Sequence, residues 1–319
     1  MKANEIKGHG AMLTANVIWG LMSPVTKFVF LGSAVTPILM VDFRVVFAAI
    51  LFWITSLFTK QEHVPHKDLL KLFFAALFGV VFNQGLFTVG LGMTSPVDAS
   101  IITTSTPILT MIIAAYYLKE PVTAKKILGV FLGACGALML ILSSSNVSSG
   151  NAQEGNIWGD VICISAEVCF AVYLVMFKGL ISRYSPVTLM KWMFTYTSIC
   201  IIPFSYTELA ALDWASVSVT VWGAVAFVVV GATYLSYLLV PVAQRNLRPT
   251  VVSMYCYVQP VVATCYVAVC WGMESFGILK GIAVAAIFSG VFLVTQSKSR
   301  AQMEAYEQAR MEKQGNNPE

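Results

Sequence analysis

Ten apolar runs separated by short polar connections constrain the fold of this chain more than any other feature. Most are close to the length of about 20 residues that an α-helix needs to cross a bilayer. The runs lie at about 11–30, 37–58, 69–91, 99–117, 126–142, 157–178, 187–206, 219–242, 250–271 and 278–295. We therefore predict an all-α integral membrane protein with ten transmembrane helices and no large soluble domain.

The composition supports a bilayer environment. Charged residues make up only 11% of the chain and apolar residues 57%, whereas a soluble protein carries about 25% charged residues. The formal net charge of +4 is too small to indicate a nucleic-acid partner. The partners we expect are the lipid bilayer and a small-molecule substrate, and the sequence leaves the oligomeric state open.

Signals for catalysis and metal binding are weak. The chain has seven cysteines, an odd number, and no two of them have CxxC spacing. A disulfide framework is therefore not predicted. His63 and His66 flank a proline in a short polar connection, which favours a solvated loop over a metal site. No GxSxG, HExxH, Walker A or GxGxxG motif occurs. We expect no catalytic residue, no metal and no cofactor.

The distribution of Lys and Arg predicts the orientation of the chain. These residues concentrate in the connections on the side of the N-terminus, and the connections on the other side contain only Lys280. Positive residues favour the cytoplasmic side of a membrane. The prediction is a multi-pass protein of the cell (inner) membrane with both termini in the cytoplasm.

An internal repeat divides the sequence almost in half. Residues 248–260 repeat residues 95–107 at an offset of 153, and the two prolines of each copy are 11 positions apart. Each copy holds five apolar runs, and because five is odd the second copy would cross the membrane inverted. We predict a five-helix repeat at 8–142, a second, inverted one at 157–295, and a cytoplasmic tail at 296–319. Inverted repeats are typical of secondary transporters, with the site near the midplane.

Two polar residues at matching positions of spans 1 and 6 are candidates for the site. An ionisable group in hydrocarbon costs roughly 2.5–3.5 kcal/mol, so Glu167 near the middle of span 6 requires an explanation. We predict that Glu167 binds substrate or carries a proton. Its counterpart Asn16 either binds substrate or makes a hydrogen bond between helices, and the sequence does not separate these alternatives.

Spans 4 and 9 carry matching polar stripes that include a proline. Thr103 and Thr104 precede Pro107, and Tyr257 precedes Pro260. A proline removes a backbone donor and frees a carbonyl one turn back, and broken helices at membrane depth are tolerated where they line a cavity. We predict that both prolines are hinges and that the stripes bind substrate, with packing kinks as the alternative.

Spans 3 and 8 add neutral polar groups to the predicted site. Asn83 and Gln84 are adjacent on span 3, and Tyr234 and Tyr237 share a face of span 8. Amides, hydroxyls and aromatic rings suit a small polar or amphipathic organic solute.

Arg44 lies about two turns into span 2 and has two possible roles. A guanidinium can bind a carboxylate or phosphate through two hydrogen bonds, so Arg44 could anchor an anionic substrate. Alternatively it belongs to a structural ion-pair cluster with Asp42 and Asp98, with Lys27 nearby. For Asp42 we favour the ion pair.

Three other charged residues near span ends are assigned structural roles. Lys178 and Lys191 are expected to snorkel, with the ammonium group at the interface. Glu120, beside a helix junction, is expected to accept hydrogen bonds from the backbone N–H groups at the next helix start.

Several short motifs in a fixed order resemble the EamA-type branch of the drug/metabolite transporter superfamily. In the first half they are Val17-Ile18-Trp19-Gly20, Phe43-Arg44, Leu118-Lys119-Glu120-Pro121, Gly129 and Gly136; in the second half they are Gly159-Asp160, Ala171, Tyr173, Gln259-Pro260, Glu274 and Gly290. The second half departs from the pattern at 191–193, where Lys-Trp-Met stands in place of Asp-Phe-Arg.

The resemblance implies ten spans, cytoplasmic termini and a central cavity formed by spans 1, 3, 4, 6, 8 and 9, with spans 5 and 10 at the periphery. It implies transport of amino acids or related metabolites, commonly export. By position it places Trp19, Asn83, Thr104, Tyr173, Tyr237 and Gln259 near the path. The expected function is secondary transport by alternating access; an uncoupled facilitator, a membrane-embedded enzyme and a non-transporting receptor are the alternatives.

Overall fold

The computed structural model describes residues 3–93, 102–145, 157–214, 217–271 and 278–297. Every regular element in these ranges is helical, and they contain no β-strand, which confirms the all-α part of the prediction. Within the same ranges six helices are long and apolar enough to cross a membrane: Pro37–Leu57, His66–Gly90, Ile157–Met176, Pro186–Ala211, Val219–Asn246 and Ile278–Thr295. Asp98, Glu274 and the predicted tail beyond residue 297 lie outside the described residues.

The described part of the first half contains these α-helices. They are α1 Ala3–Gly32, α2 Pro37–Leu57, α3 His66–Ala76, α4 Asn83–Met93, α5 Thr106–Tyr117 and α6 Ala124–Ser145. The start of α2 follows from local chemistry, since the Thr36 hydroxyl accepts a hydrogen bond from the Leu39 N–H at 3.2 Å and Pro37 fits the first turn.

The second half forms the remaining helices. They are α7 Ile157–Met176, α8 Lys178–Ile181, α9 Pro186–Ala211, α10 Val219–Ala226, α11 Ser236–Asn246, α12 Pro249–Met254, α13 Val258–Trp271 and α14 Ile278–Thr295. Ser185 and Ser218 cap α9 and α10 by accepting hydrogen bonds from backbone N–H groups.

Two π-helical segments lie at corresponding positions of the two halves. Leu77–Phe82 joins α3 to α4, and Phe227–Leu235 joins α10 to α11. Such segments are rare and occur often at functional sites. The predicted site residues Asn83 and Gln84 follow the first segment directly, and in the second half Tyr234 lies within the segment and Tyr237 two residues beyond it.

The helices that carry the two predicted hinge prolines are both interrupted just before the proline. A turn at residues 104 and 105 precedes α5, which has Pro107 in its first turn. In the second half the 3₁₀ turn Tyr255–Tyr257 precedes α13, which has Pro260 as its third residue. The prolines therefore lie at the start of new helical segments, where a missing N–H costs little.

Helices α6 and α14 pack closely because glycines let their backbones approach. A Cβ atom added at Gly290 would lie 2.5 Å from the Gly129 carbonyl oxygen, and one added at Gly136 would lie 2.7 Å from the Ala283 carbonyl oxygen. A Cβ at Gly133 would lie 2.6 Å from the Tyr257 ring. Helix α6 therefore also packs against the 3₁₀ turn that separates α12 from α13.

The contacts of α1 define one end of the bundle, which we call the N-terminal face. There Gly8 packs against Leu247, and His9 Nδ1 lies 2.7 Å from the Tyr255 hydroxyl. The other end, formed by the start of α2 and the end of α9 around Thr36 and Glu208, is called the opposite face.

Candidate functional site

A polar pocket surrounds Arg44 and draws its walls from both halves of the chain. Arg44 Nε donates to the Thr233 hydroxyl at 2.9 Å, and Arg44 Nη1 lies 3.5 Å from Gln84 Oε1. The remaining lining residues are Val41, Val45, Val80, Phe194 and Tyr237. The volume of this pocket is about 10 Å³, on the order of one water molecule, so little free space remains around the guanidinium.

Aromatic and amide side chains extend this pocket on both sides. Trp19 donates its ring N–H to the Ala232 carbonyl at 2.7 Å, and its ring lies edge-on to Tyr237 at 5.8 Å. Gln84 Nε2 lies 3.4 Å from Asn83 Oδ1, and Asn83 donates to the Ala166 carbonyl at 3.2 Å. The structure thus brings these four predicted residues together around Arg44.

Asn16 pairs with Gln259 across the two halves. Gln259 Nε2 donates to Asn16 Oδ1 at 2.8 Å, and Asn16 Nδ2 donates to the Met12 carbonyl at 2.9 Å. Asn16 is fully buried, and both ends of its amide group have partners. The geometry is that of an interhelical hydrogen bond.

Glu167 accepts a hydrogen bond from the Thr106 hydroxyl, which also lies 2.7 Å from the Thr103 carbonyl. The bond joins α7 in the second half to α5 in the first, and both side chains are buried. Sequence reasoning missed Thr106, although it lies one residue before Pro107 and on the same short segment as Thr103. A hydrogen bond to a charged acceptor contributes about 1.5–3 kcal/mol.

The remaining predicted tyrosines make separate contacts. The Tyr257 hydroxyl donates to the Thr104 carbonyl at 3.0 Å, and the Tyr173 hydroxyl lies 3.4 Å from Gln244 Oε1. The Tyr234 hydroxyl lies 2.6 Å from the Thr55 hydroxyl, on α2. Tyr234 therefore points its polar atom to a different neighbour from Tyr237, despite the shared face that sequence reasoning assigned to them.

A buried charged network closes the N-terminal face. Lys126 Nζ lies 2.7 Å from Glu120 Oε2, and the Thr250 hydroxyl donates to the same oxygen at 3.1 Å. Lys126 and Thr250 are fully buried. The prediction that Glu120 accepts from backbone N–H groups is wrong, because Lys126 in the first turn of α6 and Thr250 from the other half occupy its carboxylate.

Two more cations at this face bind backbone carbonyls. Lys178 donates to the Leu247 carbonyl at 2.8 Å, and Arg248 donates to the Ser297 carbonyl at 2.8 Å. Lys178 therefore does not simply extend to an interface. These bonds tie α8 and the end of α14 to the junction between α11 and α12.

The connection between α2 and α3 is anchored at the same face. Glu62 accepts a hydrogen bond from the Ser185 N–H at 2.8 Å. Burial alone would raise the pKa of Glu62, but hydrogen bonds from Ser185 and Thr188 outweigh it and lower the pKa.

A groove opens at the opposite face. Its volume is about 340 Å³, and it is lined by Thr36, Pro37, Ile38, Thr88, Val89, Met93 and Glu208. Thr36 donates its hydroxyl to the Glu208 carboxylate. Thr88 lies one helical turn from Gln84, and Pro37 one turn from Val41, so the groove lies directly beyond the Arg44 pocket along α2 and α4.

Two predictions for charged residues in the spans are wrong. Asp42 makes no ion pair with Arg44, whose guanidinium donates to Thr233 and Gln84 instead, because residues two apart on a helix point to different sides. Lys191 does not extend to an interface: it is 5% exposed, and its ammonium lies 4.8 Å from the centre of the Trp53 ring, a cation–π contact.

A helical membrane protein whose two halves meet at a closed polar pocket has the architecture of a membrane transporter. The chain belongs to the EamA-like transporter family, whose profile matches residues 6–142 and 157–296. This confirms the resemblance to the drug/metabolite transporter superfamily found in the sequence and points to a transporter rather than an enzyme.

Individual relatives agree with this assignment. The chain is 26% identical over 217 residues to the uncharacterised transporter YyaM of Bacillus subtilis (67% of this chain, 70% of YyaM). It is 24% identical over 307 residues to the uncharacterised transporter YetK of the same organism (92% of each chain). A crystal structure matches 92% of this chain and 97% of its own chain with a TM-score of 0.74 at 17% identity, which shows the shared fold.

Proposed function

We propose that the protein is a secondary transporter that moves small polar or amphipathic metabolites, amino acids or related compounds, out of the cell. It works by alternating access between two inverted five-helix repeats. It lies in the cell membrane with the N-terminal face in the cytoplasm.

The observation that carries the proposal is the Arg44 pocket. Arg44 and Gln84 come from the first half and Thr233 and Tyr237 from the second, so a motion of one half against the other would open or close it. Among the described residues, the hydrogen-bond partners of the guanidinium are the neutral oxygens of Thr233 and Gln84. A substrate carboxylate would replace these bonds with stronger, charge-assisted ones, while the Trp19 and Tyr237 rings would contact an apolar side chain.

The two ends of the bundle support alternating access. The N-terminal face is closed by contacts between the halves, which include His9 to Tyr255 and Glu120 to Thr250. The opposite face has the 340 Å³ groove that leads towards Arg44. A closed pocket between a sealed face and an open groove is expected of one state in such a cycle.

The paired irregular segments support an inverted repeat. The π-helical segments Leu77–Phe82 and Phe227–Leu235, and the breaks before Pro107 and Pro260, recur at corresponding positions of the two halves. Helix irregularities at membrane depth are tolerated where they line a cavity, which is the role we assign to them.

Transport into proteoliposomes that contain only this protein tests the proposal. A panel of radiolabelled amino acids identifies the substrate, and Arg44→Lys is compared with the wild type. We expect Arg44→Lys to raise the substrate concentration at half-maximal flux by roughly tenfold or more, which corresponds to about 1.4 kcal/mol of binding free energy. The reason is that an ammonium group cannot form the two parallel hydrogen bonds of a guanidinium.

The matched control is Arg183→Lys, since Arg183 has a 61% exposed side chain at the N-terminal face. Equal half-saturation for Arg44→Lys and the wild type would remove Arg44 as the anion anchor. Absence of flux for every compound in the panel, with correctly folded protein, would contradict the transport of amino acids.

A further inference from the structure

Gln244 in α11 is a buried amide with an unpaired donor group. Its exposure is 1%, and its Oε1 lies 3.4 Å from the Tyr173 hydroxyl. Within the described part of the chain its Nε2 has no hydrogen-bond partner. A side-chain amide nitrogen carries two N–H donors, and burial without an acceptor is unfavourable for them. The group therefore needs a role beyond the contacts of this conformation.

Gln244 lies between the Arg44 pocket and the N-terminal face. Tyr237 forms part of the pocket wall, and Gln244 is seven residues further along α11. Residues at this spacing share one side of a helix, and the rise over seven residues is about 10 Å at 1.5 Å per residue. The helix ends beside Leu247, which packs against Gly8 at the N-terminal face.

Tyr173 connects the same two regions from the other wall. Val80 lines the Arg44 pocket, and a Cβ atom added at its neighbour Gly79 would lie 2.7 Å from the Tyr173 ring. Tyr173, which is 2% exposed, is thus in contact with the π-helical segment of the first half and with Gln244 of the second. A motion between the halves would change the surroundings of both polar groups.

The donors of this pair are electrically neutral, and two nearby cations have other partners. Arg245 Nε donates to the Ile181 carbonyl at 3.1 Å, and Lys178 donates to the Leu247 carbonyl at 2.8 Å. A carboxylate can accept hydrogen bonds from an amide N–H and a phenol O–H, but it binds a guanidinium more strongly because both partners are then charged. The pair is therefore suited to bind a carboxylate briefly.

We propose that Gln244 and Tyr173 form a second substrate subsite, which receives the substrate carboxylate from the cytoplasm before it reaches Arg44. The inference rests on the proposed transport function. When the N-terminal face opens, Gln244 Nε2 and the Tyr173 hydroxyl both donate to the carboxylate. The carboxylate then moves on to the guanidinium of Arg44, and the Tyr173 hydroxyl returns to Gln244 Oε1.

The subsite is tested by uptake into inverted membrane vesicles, which present the cytoplasmic face to the medium, and into right-side-out vesicles. The probe is the radiolabelled amino acid with the highest wild-type flux in the panel. Gln244→Met keeps the length of the side chain and removes both polar atoms. We expect the substrate concentration at half-maximal uptake to rise roughly tenfold in inverted vesicles and less than twofold in right-side-out vesicles. Arg44→Lys should raise it in both.

Stability separates a substrate subsite from a structural amide. Because Gln244→Met removes an unpaired buried donor, the midpoint of denaturant unfolding in detergent should stay unchanged or rise. A structural role predicts a lower midpoint with unchanged uptake, which would overturn the subsite. The matched control is Gln296→Met, since Gln296 is exposed just beyond α14, and this variant should change neither quantity.

Tyr173→Phe keeps the test decisive if Gln244→Met folds poorly. It retains the ring that packs against Gly79 and removes the hydroxyl, so half-maximal uptake should require a severalfold higher concentration in inverted vesicles only. Unchanged values in inverted vesicles, or equal rises in both kinds of vesicle, would overturn the subsite and leave the transport function in place. A folded wild type that transports no compound of the panel would remove the proposed function and the subsite with it.

Discussion

The two ends of the helix bundle differ in the partners that they provide for a buried carboxyl group. At the N-terminal face the Glu120 carboxylate binds Lys126 at 2.7 Å and the Thr250 hydroxyl at 3.1 Å. Towards the opposite face Asp42 is buried to a similar degree and has no hydrogen-bond partner among the described residues. The first arrangement neutralises its buried charges internally, whereas the second leaves a buried carboxyl group outside any ion pair of the described residues. The comparison sets an end that is closed by charge pairing against an end that has an open groove.

Breaking the ion pair at the N-terminal face should produce the largest effect. Lys126→Met removes the direct ion-pair partner of Glu120 and leaves the Thr250 hydroxyl as its donor, with Lys178 and Arg248 as the remaining nearby cations. We expect the free energy of unfolding to fall by up to about 3–5 kcal/mol. Denaturant unfolding in detergent measures the loss.

Two further variants show whether burial causes this effect. The double variant Glu120→Gln/Lys126→Met should recover most of the loss, because no unpaired charge remains. Lys71→Met removes one of the three partners of Asp68, which also contacts Tyr184 and Arg183. Since the Lys71 side chain is 57% exposed, this change should alter stability by about 1 kcal/mol or less. Equal losses for Lys126→Met and Lys71→Met would contradict the closed, charge-paired description of this face.

Packing of α14 against α6 gives a contrast of intermediate size. Gly290→Ala places a methyl group 2.5 Å from the Gly129 carbonyl oxygen, and we expect a loss of about 1–3 kcal/mol. Gly281, nearer the opposite face on the same helix, has no heavy atom within 4 Å of an added Cβ. Gly281→Ala should therefore be neutral or stabilise by up to about 1 kcal/mol. Unfolding of both variants under one set of conditions checks the difference.

The hinge prolines should give the smallest effect. Pro107→Ala and Pro260→Ala can fold, since both prolines lie near the start of a helical segment. We expect each to slow substrate flux roughly threefold, on the order of 0.6 kcal/mol in the barrier, because a continuous helix resists the motion between the two faces. Wild-type flux in both variants would make the prolines packing features.

The sequence predicted the helical fold well because each element depends on local information. Apolar length, the threonine and serine caps and the prolines at helix starts are all properties of short segments, and the structure agrees at α2 and α9. The family resemblance likewise rested on motifs that can be read in order along the chain.

Side-chain partners depend on which faces meet, and the sequence does not contain that information locally. Lys126 resembles a loop lysine beside a span end, yet it is fully buried against Glu120. The π-helical segment Phe227–Leu235 changes the register of the helix, so Tyr234 and Tyr237 reach different neighbours although simple periodicity places them together. Asp42 and Arg44 form no pair because residues two apart on a helix point to different sides, a constraint that helical periodicity alone contains.

Access to the two faces during transport tests the central claim most directly. In a variant without the native cysteines, Thr88→Cys reports on the groove and Val252→Cys on the buried N-terminal face. Both are treated with a membrane-impermeant thiol reagent from each side. Without substrate we predict labelling of Thr88→Cys from outside and protection of Val252→Cys. During substrate exchange Val252→Cys should become labelled from the cytoplasmic side, and Thr88→Cys should be labelled more slowly. Active exchange with Val252→Cys protected throughout, or labelling of both positions from one side only, would contradict alternating access.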